Sequence, residues 1–197
     1  SDLHSIRRVV YISETDEKGG GPINAEQQLE QWINQYQNLI YSICYKFTGN
    51  YFDAEDLAQD TFLSAYKSMA YFDGSNERAW LCKIATNKSL DYLKRAGRKS
   101  VPTEDVYFSA IAAPESVEEK YLEKEVRQKL YDCCLALKPP YREVALDYYY
   151  HEMEIGEIVK KTGKNIKTLQ TQIYRAKGML KKLYGKEEPA YGKTATH

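Results

Sequence analysis

The sequence predicts an all-α fold in two small helical domains joined by a flexible linker. Three observations predict it. Apolar residues recur at three-to-four spacing through most of residues 23–97 and again after 117. That period is lost across 98–116, where Pro102 and Pro114 stand among charged and small residues. Gly163 separates two helical patterns at the spacing of a tight turn. With 197 residues, 43% of them hydrophobic, the chain can build one large or two small cores.

The first helix is marked by Leu29, Trp32, Ile33, Tyr36, Ile40, Ile43, Cys44 and Phe47, and Gly49 with Asn50 ends it. The second carries Ala54, Leu57, Ala58, Thr61, Phe62, Ala65 and Met69. Asp53 with Asp56 three residues on resembles a capping arrangement, and the acidic first turn complements the helix dipole. Phe72-Asp73-Gly74-Ser75-Asn76 is loop chemistry; a third helix follows through Trp80, Leu81, Ile84, Ala85 and Leu93 to Gly97. Phe62 and Trp80, at helical spacing, read as core packing.

Helical pattern resumes near Val117 and runs through Val126, Leu130, Cys133, Cys134 and Leu137 to Pro139-Pro140. A helix starting there carries Val144, Ala145 and Tyr148, the last placed by its period on a core face, and two shorter helices follow. Residues 1–22 do not fit this plan. Val9-Val10-Tyr11-Ile12 looks strand-like before a Gly19-Gly20-Gly21-Pro22 joint, which suggests a fused peptide or an extension that pairs with a partner's sheet edge. Residues 187–197 read as a disordered tail.

The 28 basic and 28 acidic residues sum to a formal charge of +0, which taken alone argues against nucleic-acid binding. Counting by segment changes the picture. Between Arg78 and Lys99 stand Arg78, Lys83, Lys88, Lys94, Arg95, Arg98 and Lys99 against Asp91 alone, and Lys160 to Lys186 contains many bases and no acid. Acids gather at Asp53, Glu55, Asp56 and Asp60 and again from Glu104 to Glu125. Cys44, Cys82, Cys133 and Cys134 form no C-x-x-C pair, so reduced and mostly buried thiols are expected rather than a zinc cage. No nucleophile–base grouping, phosphate-cradling glycine loop or metal-ligand spacing stands out. A protein that is not an enzyme, needs no cofactor or metal, inserts in no membrane and works in the cytoplasm is the expectation.

The sharpest local signal runs from Glu154 to Ile173. Ile155, Ile158 and Val159 give one helix an apolar face, and Ile166, Leu169 and Ile173 face back from the next across Gly163, which makes a helix-turn-helix. Its second helix leaves Lys167, Thr168, Gln170, Thr171, Tyr174, Arg175 and Lys177 for bases and phosphates of a major groove. The alternative reading is a helical hairpin with a solvated basic face.

Three ordered segments then resemble one family. Asp53-Ala54-Glu55-Asp56-Leu57-Ala58-Gln59-Asp60-Thr61-Phe62, Tyr71-Phe72-Asp73-Gly74 and Arg78-Ala79-Trp80-Leu81-Cys82-Lys83-Ile84-Ala85-Thr86-Asn87 resemble region 2 of the extracytoplasmic-function sigma factors of bacterial RNA polymerase. The helix-turn-helix is similar to region 4, and Leu137-Lys138-Pro139-Pro140-Tyr141-Arg142-Glu143-Val144 to its approach. The resemblance covers about residues 26–184 in order. It assigns 23–97 to region 2, 98–116 to the linker and 117–186 to region 4.

The resemblance implies an alternative sigma factor that binds core polymerase and directs promoter-specific initiation. Asp56, Leu57, Gln59, Asp60 and Leu63 would meet the clamp coiled coil of the largest subunit, and region 4 the flap of the second-largest. Ser68, Phe72, Asp73, Gly74, Ser75, Asn76, Ile84 and Asn87 match the places that hold a base extruded from the minus-ten element, with Lys83 and Lys88 on the backbone. The minus-thirty-five element would take the recognition helix. An anti-sigma factor is an expected further partner. Lys164 departs from the apolar residue usual in the turn, and Gln170 and Gln172 from the usual bases. The rival reading is a stand-alone helix-turn-helix regulator with a helical sensing or dimerisation domain.

Overall fold

The computed structural model describes residues 25–95 and 117–185, the side chains of 117–123 excepted. The readings made for 1–22, 98–116 and 187–197 lie outside the described residues. Among those described, every regular element is helical, as the apolar period predicts. They are α1 (Ala25–Thr48), α2 (Tyr51–Lys67), a 3₁₀ turn (Met69–Tyr71) and α3 (Glu77–Arg95), then α4 (Val117–Ala136), α5 (Tyr141–Ala145) continued by a π turn (Leu146–Tyr150), α6 (Ile155–Thr162) and α7 (Ile166–Tyr184). Chain contacts sort the described residues into two units, 25–48 with 53–95, and 117–185 with 49–52.

In the first unit α1 packs along α3, and α2 closes the core with Ala54, Ala58, Phe62 and Ala65. Leu29, Trp32, Ile33, Ile40 and Ile43 fill it from α1, Leu81, Ala85 and Leu93 from α3. Each large apolar side chain buried this way contributes about 1.5–3 kcal/mol. Gly49, at φ 62, takes the left-handed position that ends α1. The cap of α2 differs from the expectation: its Asn50 Oδ1 accepts from the Phe52 amide at 3.0 Å, and Asn50 stands ahead of the Asp53–Asp56 pair. Asp53 is buried instead and accepts from the Tyr92 hydroxyl at 2.9 Å. Glu55 is buried too, so the acidic face is narrower than its composition suggests.

The second unit seats α7 against α4, α5 and α6. Leu169, Ile173, Ala176, Leu180 and Tyr184 form its buried stripe, while Val126, Leu130, Cys134 and Val144 meet it from the unit's other helices. The last helix, at 19 residues, is not the short element the pattern suggested, because its apolar stripe continues unbroken to Tyr184. The Tyr148-Tyr149-Tyr150 run falls in the π turn, which leaves all three rings half-buried; Tyr148 is therefore less enclosed than its period with Val144 implied. Cys44, Cys82 and Cys134 are free and buried, and burial pushes their thiols up to about 12, 11 and 12. Cys133 is half-buried.

Candidate nucleic-acid interface

The helix-turn-helix is built by local chemistry. Glu157 accepts from the Glu154 amide at 2.8 Å to start α6. Gly163, at φ 67, stops it with its N–H on the Val159 carbonyl at 2.8 Å. Asn165 then caps α7, Oδ1 accepting from the Lys167 amide at 2.8 Å.

Once α7 buries its apolar stripe, helical geometry decides the opposite face. Lys167, Thr168, Gln170, Thr171, Tyr174 and Arg175 are all exposed there, and Lys177 is half-buried. Tyr174 is 79% exposed. Thr171 also donates to the Lys167 carbonyl at 2.9 Å, which fixes its hydroxyl on the helix. Lys164, the unusual turn residue, reaches Gln172 Oε1 at 3.5 Å, and its amide meets the Thr162 hydroxyl at 3.3 Å. The turn lysine and one of the two departing glutamines thus answer each other.

One contact was invisible in the sequence. Asp147, buried in the π turn, pairs with Lys161 at 2.6 Å and anchors α6 from beneath. No periodic pattern links a π-turn carboxylate to a lysine on the following helix, so the acid-free stretch looked uncompensated.

The second basic region lies on α3 of the first unit. Lys83 and Asn87 are exposed, with Ile84 and Lys88 half-buried beside them. The loop before α3 spends its polar atoms on itself. Asp73 Oδ1 accepts from the Ser75 amide at 2.9 Å and the Ser75 hydroxyl at 2.7 Å, bonds that hold its carboxyl below the usual range. Asn76, at φ 38, caps α3 by accepting from the Ala79 amide at 3.0 Å, and Gly74 sits at φ 80. Asp73, Gly74, Ser75 and Asn76 are exposed, and Ser68 is half-buried at the foot of the 3₁₀ turn.

Phe72 is half-buried on a bed of indoles. It stacks on Trp80 at 4.6 Å with planes 28° apart and meets Trp32 edge-on at 5.9 Å. Trp32 and Trp80 touch at 5.4 Å. Trp80 is thus half-exposed and packs on the core while backing Phe72, whereas Phe62 is wholly buried as expected. The sequence offered no local signal for Trp32, which reaches the site from α1.

On α2, Asp60 is exposed and Asp56, Leu57, Gln59 and Leu63 are half-buried, the two leucines packed against the core. Asp56, Gln59, Asp60 and Leu63 recur at helical spacing on one face, an acidic stripe with an apolar edge. Among the described residues no helix is long and apolar enough to cross a membrane, and no cluster of His, Cys, Asp or Glu is placed to hold a metal.

Residues 32–99 match the family model Sigma-70 region 2. The chain is 28% identical over 162 residues to the ECF RNA polymerase sigma factor SigW of Bacillus subtilis (strain 168), covering 76% of this chain and 85% of that one. It is 27% identical over 161 residues to the ECF RNA polymerase sigma factor SigM of the same organism, covering 80% and 96%. The solved structure of CnrH in complex with the cytosolic domain of CnrY aligns over 92% of this chain and 97% of that one at 20% identity. Its TM-score of 0.32 is too low to compare the two folds.

Proposed function

The chain belongs to the extracytoplasmic-function group of the sigma-70 family, and from that premise we propose that it binds core RNA polymerase and directs promoter-specific initiation. The catalytic consequence belongs to the polymerase. The observation that carries the reading is α7, whose apolar stripe is wholly seated while its opposite face exposes Lys167, Thr168, Gln170, Thr171, Tyr174 and Arg175. Thr and Gln side chains suit base edges of a minus-thirty-five major groove, and the cations suit its phosphates.

At minus ten, the loop at Phe72–Asn76 with Ser68, Ile84 and Asn87 holds a base extruded from the non-template strand. An extruded base needs an aromatic wall and an amide to read its polar edge; Phe72 and Asn87 are those residue types, and Lys83 and Lys88 offset the charge of the backbone. The linker 98–116 sets the spacing between the two elements. Asp56, Leu57, Gln59, Asp60 and Leu63 dock on the clamp coiled coil of the largest polymerase subunit, Asp60 steering and the leucines anchoring. Region 4 meets the flap of the second-largest. An anti-sigma factor covering these faces is the natural inhibitor, and the protein works in the cytoplasm.

Run-off transcription with purified core polymerase tests the reading. Promoter-specific transcripts that require this chain are expected. Asp56→Ala with Gln59→Ala should weaken polymerase binding and leave duplex binding nearly unchanged. Failure to produce such transcripts, together with binding to a palindromic site by the chain alone, would instead establish a stand-alone helix-turn-helix regulator.

A further inference from the structure

Away from the exposed face of α7, one surface side chain of the second unit grips a short stretch of backbone in three ways. Arg127 stands on α4 with its side chain 46% exposed. Its Nη2 donates to the Tyr150 carbonyl at 3.2 Å, its Nη1 lies 3.7 Å from Glu152 Oε1, and its guanidinium carbon sits 4.8 Å from the centre of the Tyr150 ring. That ring also meets Tyr131 of α4 at 4.8 Å. One planar cation thus holds the end of the π turn by a carbonyl, a ring and the carboxylate two residues on. What it holds is strained. Glu152 has φ 56, a left-handed backbone that glycine or asparagine takes readily and a long side chain does not.

We propose that Arg127 is a positioning residue for duplex recognition, a clamp that keeps Glu152 in its left-handed conformation and so fixes where the helix-turn-helix begins. This rests on the minus-thirty-five reading above. Residues 147–154 are the covalent lead into α6. The Met153 amide donates to the Asp147 carbonyl at 2.9 Å, Glu154 caps α6 two residues after Glu152, and the Asp147 carboxylate takes Lys161 from α6 itself. If φ at 152 relaxed to a negative value, this lead would leave on a new course while Ile158 and Leu169 still held α6 and α7 by their buried faces. The hairpin would then have more than one seat. Base edges are read by hydrogen bonds that tolerate little displacement, whereas cations on phosphates tolerate more. Losing the clamp therefore blurs discrimination between sequences without removing a phosphate contact.

The test uses the full chain bound to core polymerase, with two probes: a duplex that the wild-type complex selects from a random pool, and the same base pairs in scrambled order. Arg127→Met should lower the ratio of the two affinities about fivefold. The salt slope of duplex binding should stay as it was, because no phosphate contact is lost. Adding Glu152→Gly to Arg127→Met should restore the ratio, since glycine takes a positive φ at no steric cost and needs no clamp to stay there. A drop in the slope by about one phosphate in Arg127→Met would make Arg127 a DNA contact and overturn the proposal. An unchanged ratio with a lowered melting temperature would reduce the clamp to a stabilising contact and overturn it too, as would a lowered ratio that Glu152→Gly fails to restore. In each of these cases the wild type still discriminates, and the minus-thirty-five reading stands. If the wild-type complex selects no duplex, that reading falls and the proposal falls with it.

Discussion

The outer face of α7 and the loop at Phe72–Asn76 present nucleic-acid chemistry in opposite ways. The α7 face is a side-chain display: its backbone is satisfied within the helix, its inner stripe is buried, and its outer groups are exposed. The loop inverts this. Its Asp73 and Asn76 oxygens hold the loop in shape, and what it offers outward is rings, Phe72 on its indole bed and Tyr71 beside it. Charged and amide groups on a rigid rod suit the edges and phosphates of a closed duplex, whereas rings on a stiff loop suit faces that appear only when the strands separate.

The largest way to break this contrast is to unseat the rod. Leu169→Ala removes a wholly buried side chain from under α7 and should cost about 2–5 kcal/mol in chemical denaturation. Duplex binding should be lost before the loop's preference for single strands. Next comes the anchor of α6. Lys161→Met leaves the Asp147 carboxylate buried without its cation and should cost about 2–3 kcal/mol, discounted because the lysine is 55% exposed. Asp147→Asn leaves an ammonium that water can solvate and should cost under about 1 kcal/mol. Equal costs in thermal melts would mean that burial of the acid does not govern the pair.

The loop breaks more gently. Asn76→Ala removes the α3 cap at a left-handed backbone position and should destabilise by about 1–2 kcal/mol, with amide exchange rising first at Ala79. Arg175→Ala sharpens the contrast without unfolding anything, since the side chain is exposed. Duplex affinity should fall, and the log–log salt slope should drop by about one phosphate's worth, a change Tyr71→Ala should not produce. The smallest effect is at Asp73. Its carboxyl titrates below the usual range because the ionised form accepts from Ser75, so the loop's ordering is present above that range and lost as pH falls through the lowered value. Ser75→Ala should move the Asp73 titration upward in carbon-detected NMR.

Periodicity made the rod legible: Leu169, Ile173, Ala176 and Leu180 announce which side is inside, and the exposed set follows by geometry. It carried further than expected in one place, the full length of α7. It failed where contacts depend on three-dimensional closure. Nothing near Phe72 in sequence says that Trp32 lies against it, and a π turn breaks the register that would have shown Asp147 facing inward. Caps were legible in kind but not in place, as Asn50 shows by taking the role expected of Asp53.

The indole bed has an optical consequence. Trp32 and Trp80 are the chain's two tryptophans, and both lie against Phe72, 5.4 Å apart. At that separation excitation passes readily from one indole to the other. The protein therefore carries an unlabelled fluorescent reporter on α1 and α3, packed against Phe72 of one loop, which should brighten or dim when that loop takes a strand and stay silent when α7 finds its groove.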